Sequence, residues 1–149
     1  MTMIHSQIIR ELIRRTKNDF LEYFRNVPLS ERAEMIVEMA LSKGVQLASI
    51  RDELESMIPD TEEDGSWESS YALNTGVMML CLIDYEAAEN EEHYNDAVTM
   101  FFDTVDFKVQ QSFEDEGILQ PTEDQIKSHE LFAREKAWFE QLIEGKNNT

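Results

Sequence analysis

Residues 67–89 read WESSYALNTGVMMLCLIDYEAAE. Tyr71, Asn74, Met78, Cys81, Leu82 and Tyr85 fall at helical spacing, which predicts a helix. Within it, residues 72–83 are apolar on most sides. A helix without a wide polar face must be covered by neighbours, so this one is expected at the centre of a bundle. No strand-like alternation and no internal repeat occurs elsewhere in the chain. At 149 residues the expected fold is all-α, a compact bundle of about six helices in one domain spanning the whole chain.

Downstream, Asn90 is expected to cap a helix that runs to about residue 113. Its apolar stripe is Tyr94, Val98, Phe101, Phe102, Val105 and Val109. The opposite face carries Glu92, Asp96, Thr99, Asp103, Asp106 and Gln110. Like charges at that spacing weaken an isolated helix by about 0.2–0.5 kcal/mol per pair, so burial of the Phe-rich face must stabilise this one. Glu114-Asp115-Glu116-Gly117 marks a break. Thr122 with Gln125 fits a capping box after Pro121. The final helix, to about residue 143, carries Leu131, Phe132, Trp138, Phe139 and Leu142. Gly145 is expected to end it and residues 146–149 to fray.

Upstream, Pro59 closes a helix over about residues 45–57. The segment Pro59-Asp60-Thr61-Glu62-Glu63-Asp64-Gly65-Ser66 reads as a loop. Its acids are clumped, whereas an EF-hand needs alternating ligands, a central glycine and a closing glutamate. Ser30 is expected to cap a helix striped by Ala33, Ile36, Val37, Ala40 and Leu41, with Gly44 as a left-handed C-terminal cap. The first helix, residues 4–24, turns Arg10, Arg14, Arg15 and Lys17 largely off its apolar stripe. That basic face has either the acidic body or another chain to meet.

Charge is unevenly placed. Residues 1–51 carry a net +2 and residues 52–149, the acidic half, a net −20. Residues 52–107 hold sixteen carboxylates and no lysine or arginine. Such a surface repels nucleic acid and anionic membranes and steers a basic protein toward it. Acidity that merely keeps a protein soluble is the competing explanation, and the length of the stretch without a cation argues against it. The one cysteine, Cys81, lies in an apolar run and reads as a small buried hydrophobe. The N-terminus lacks the apolar core of a signal peptide, and residues 77–83 are too short to span a bilayer, so cytoplasmic residence is expected.

No catalytic constellation, metal site or cofactor is expected. His5, His93 and His129 fall on separate elements, and the Glu-x-x-His, H-E-x-x-H and glycine-rich phosphate motifs are absent. Glu89, Glu92 and Asp96 match the helical spacing of magnesium ligands in all-α pyrophosphohydrolases. The facing acidic set and the phosphate-binding cations of such enzymes are missing.

Residues 54–59 (LESMIP), the acidic segment 60–64, Tyr71-Ala72-Leu73 opening the apolar helix, and the terminal HELFAREKAWFEQLI resemble a bacterial YjaG-like family of all-helical proteins of unknown function. The resemblance covers about residues 20–145 and implies a helical bundle. The excess of acid departs from its housekeeping members. It directs the expectation to an immunity protein of a contact-dependent inhibition system, bound to a basic partner, its cognate nuclease toxin domain. The expected contact residues are Asp60, Glu62, Glu63, Asp64 and Trp67 in and beside the acidic segment, and Glu89, Glu91, Glu92, Asp96, Asp103 and Asp106 beyond it. Tyr85 and Tyr94 are further candidate anchors. The alternatives are a housekeeping helical protein, an acidic nucleic-acid mimic and a metal-dependent hydrolase.

Overall fold

The computed structural model describes residues 5–42 and 46–147. The cap expected at Gly44 and the last two residues of the expected frayed end lie outside them. The elements are α1 (His5–Tyr23), α2 (Ser30–Leu41), a 3-10 turn (Leu47–Ile50), α3 (Arg51–Met57), α4 (Thr61–Asp64), α5 (Trp67–Ala88), α6 (Glu91–Asp115), α7 (Glu123–Ser128) and α8 (Glu130–Asn147). Six of them are helices of seven residues or more, as the periodicity predicts, and the described residues contain no strand.

The apolar stretch is the centre. α5 packs along α1 and α6 and also meets α2, α3, α4 and the 3-10 turn. Its Ala72, Met78, Met79 and Leu82 are fully buried, alongside Ile9, Leu12, Ile13 and Phe20 of α1. Asn74 and Thr75 are buried too, and each has a partner, as buried polar groups must. Asn74 Nδ2 donates to Thr104 Oγ1 at 3.1 Å, which ties α5 to α6. Thr75 Oγ1 donates to the Thr16 carbonyl at 3.3 Å, which ties α5 to α1. Gly76 allows close approach: a Cβ there would lie 2.9 Å from Ile58 Cγ1 and 3.6 Å from Phe20 Cε1.

α6 buries Ala97, Phe101, Thr104, Val105 and Val109. Full burial of one large apolar side chain stabilises by about 1.5–3 kcal/mol. Three such side chains outweigh the repulsion along the acidic face, and the helix forms despite its charge. Asn90 caps it, its side chain accepting from the Glu92 amide at 2.9 Å. Thr122 and Gln125 form the expected capping box at α7.

Five local expectations give way. The single helix expected from Thr122 to about residue 143 is two, α7 and α8, because the backbone is extended at His129 (ψ 140°). Ser30 is the first residue of α2 rather than its cap: its amide already bonds the Val27 carbonyl at 3.0 Å, and Leu29 holds the cap position without a side-chain bond. The helix expected from residue 45 begins as the 3-10 turn and becomes α-helical only at Arg51. The acidic segment is not a loop but one helical turn, α4. Asp60 caps it by accepting from the Glu62 amide, and Gly65 at φ 69° closes it. Carboxylates at a helix N-terminus meet its positive end, which lets the clumped acids coil. Finally, α8 runs through Gly145 to Asn147, because Gly145 is not among the glycines that adopt positive φ.

Candidate partner-binding surface

The α4 turn and α6 carry most of the expected contact residues, and Trp67 and Glu89 stand at the two ends of α5. Asp60, Glu62, Glu63 and Asp64 are exposed. Asp64 is also structural. Its Oδ2 accepts from the Tyr23 hydroxyl at 3.0 Å and its Oδ1 from the Ser66 amide at 3.3 Å. Hydrogen bonds from Ser66 and then Tyr23 hold its carboxyl below the usual range. Trp67 is only partly exposed. Its ring stacks on Tyr71 at 6.4 Å and tilts against Phe107 at 6.1 Å, so it clamps α5 to α6. Tyr85 and Tyr94 likewise close on His5, with Tyr94 stacked at 3.8 Å. The aromatics expected as anchors are engaged in packing.

Glu89 ends α5 at φ 51°, with its amide bonded to the Tyr85 carbonyl. This left-handed geometry usually falls to glycine and costs a residue with a Cβ about 1–2 kcal/mol. Glu91, Glu92 and Asp96 are exposed beyond it, and Asp103 and Asp106 are half-buried. Gln110 Nε2 donates to Asp106 Oδ1 at 2.6 Å. Burial, then the neighbouring Asp106 charge, push the Asp103 carboxyl above its ordinary value.

These residues do not form one compact patch. At ~1.5 Å per residue, the 22 residues of α5 separate the α4 turn from Glu89 by about 33 Å. The α6 row bridges the gap, covering about 21 Å from Glu92 to Asp106. The Trp67–Phe107 contact sets its far end beside the first turn of α5. The acidic groups thus lie at the two ends of α5 and along the helix between them.

Eight of the thirteen cations are spent elsewhere. Arg10 pairs with Glu86, Arg14 with Glu11 and Arg25 with Glu22. Arg15 holds Glu135 at 2.6 Å and Lys108 holds Asp19 at 2.8 Å. Arg32 reaches Glu53 at 2.7 Å, Lys127 reaches Glu123 at 2.9 Å, and Arg51 bridges Asp84 and Glu55, each at 2.8 Å. The basic face of α1 therefore docks internally through Arg10 and Arg15. Among the described residues, no salt bridge reaches any of the ten candidate carboxylates. The pairings of Arg10, Arg15, Arg32 and Lys108, that of Arg51 with Asp84, and the Tyr23 contact join residues far apart in sequence and left no local signal.

Cys81 is buried, and burial pushes its thiol up to about 12, which leaves it protonated and weakly nucleophilic. Among the described residues no three His, Cys, Asp or Glu side chains converge as metal ligands, and no helix is long and apolar enough to cross a membrane. Comparison with family models, with curated proteins and with solved structures finds no match.

Proposed function

We propose that this chain is an inhibitor of the immunity type. It binds a basic protein, a nuclease toxin domain, and occludes that protein's cationic cleft without catalysis of its own. One observation carries the reading: among the described residues, ten carboxylates stand without an internal cation while six of the seven arginines pair with other acids. A strongly one-signed surface accelerates encounter with a basic partner in a salt-dependent way. Close charge pairs across an interface couple by about 1.5–7 kcal/mol. Asp103 adds to this, because its ionised form is disfavoured in the free chain and a partner's lysine or arginine would restore it.

The test is affinity capture from native lysate at low salt with elution by a salt gradient, followed by a nuclease assay on what elutes. A one-to-one basic polypeptide, released as salt rises and inhibited on re-addition of this chain, is the expected result. A captured partner without nuclease activity would remove the toxin from the reading.

A second reading, a housekeeping helical protein of the YjaG-like kind with acidity for solubility, draws support from the aromatics. Tight interfaces are usually anchored by a buried aromatic, and Trp67, Tyr85 and Tyr94 all pack internally. On this reading no basic partner is retained at any salt concentration.

A further inference from the structure

The joint between α1, α6 and α8 forms a half-open cavity of about 130 Å³. Arg15, Lys108 and Arg134 line it together with the single carboxylate Glu135, so its wall is net cationic in a chain of formal charge −18. Phe101, Val105 and Leu131 supply an apolar side. Arg15 is fixed in place: Glu135 takes its Nε and one Nη, and Trp138 covers its guanidinium face at 4.2 Å. Lys108 spends one donor on Asp19. Arg134 is exposed and takes part in no salt bridge among the described residues. The cavity thus combines spare cationic donors and hydrocarbon in one lining.

We propose that this cavity binds a small monocarboxylate with a compact apolar body. Size limits the body, since a cavity of roughly 150 Å³ accepts benzene. Charge sets the head group, because a guanidinium presents parallel N–H donors matched to a carboxylate. The hydrocarbon in the wall distinguishes this ligand from an inorganic anion, which would bury no apolar surface against the half-buried Leu131. The site is independent of the acidic surface, so it stands or falls separately from the inhibitor reading.

Benzoate is the probe, titrated against the full chain and followed by methyl and amide NMR. Saturable shifts confined to residues around Thr16, Val105, Lys108 and Leu131 are expected. Arg134→Gln, an exposed change that should leave the fold intact, should weaken binding roughly tenfold, the loss of a charged hydrogen bond. Leu131→Trp should fill the cavity and abolish binding, with retained helicity as its control. Absence of saturable shifts overturns the site. Unchanged affinity in Arg134→Gln together with equal binding of toluene overturns the anion requirement, and equal binding of inorganic phosphate overturns the apolar one.

Discussion

Asp64 and Asp103 are the same residue type on one acidic surface, and the fold moves them in opposite directions. Asp64, in the α4 turn, accepts from Ser66 and Tyr23 and is held below the carboxylate range. Asp103, in the α6 row, is half-buried beside Asp106 and is pushed above it. Formal charge alone does not tell a working carboxylate from a frustrated one. Asp64 of the turn holds the end of α1 near the start of α5. The row keeps its charge at a cost, which the apolar burial of α6 outweighs and which a cationic partner would relieve.

Crowding the platform under the turn should have the largest effect. Gly76→Leu drives a side chain into Ile58 and Phe20, which support the α1 side of the molecule. A loss of about 3 kcal/mol, the upper end of the overpacking range, is expected in urea unfolding. An unchanged midpoint would mean that α1 and α5 separate more easily than their packing implies.

Charge reversal of the row comes next. Glu92→Lys, Asp96→Lys and Asp103→Lys together should preserve far-ultraviolet helicity and slow association with the basic partner by roughly tenfold at low salt, with the gap closing as salt rises. The same reversal at Glu62 and Glu63 ranks the two regions. If the turn variant loses more, the α6 row is not the main contact.

Between the regions stands Glu89. Glu89→Gly removes the left-handed strain and should stabilise the chain by about 1 kcal/mol. If partner association also slows, the strained residue is kept for its charge.

The smallest effects test the comparison directly. A depressed carboxyl contributes stability above its unfolded pKa and loses it as pH falls toward the folded one. Asp64→Asn should therefore lower the thermal midpoint at neutral pH, and the difference should vanish in acid. Asp103 has the raised pKa, so its charge costs stability above that pKa and the cost disappears as pH falls. Asp103→Asn should stabilise by a few tenths of a kcal/mol at neutral pH, about what a solvent-screened group allows, and by nothing in acid. Shifts of the same sign in both variants would end the contrast.

Much of the fold was legible because its signals are local. The apolar run of α5, the stripe of α6, the Asn90 cap and the Thr122–Gln125 box each lie within a few turns. Where competing local chemistry was close in energy, sequence reading failed: the acids of α4 coil behind Asp60, and α8 passes through Gly145. The site was legible only as composition. The α6 row could be placed on one face, but the partners of Arg10, Arg15 and Lys108 lie 76, 120 and 89 positions away. The internal use of Trp67, Tyr85 and Tyr94 likewise depends on helices brought together by the core.

α8 has no fully buried residue among those described up to Gly145. It rests mainly on α6 through Phe132, Trp138 and Phe139, with Arg15 as its link to α1. An element held this way can open alone, at a free energy below that of global unfolding. Its amides should exchange with deuterium well before those of α5, making α7 and α8 a separate cooperative unit. Because the cavity wall includes α8, an occupant would raise that opening free energy by mass action. Slowed exchange along the last helix would then register a small molecule bound out of sight of the acidic surface.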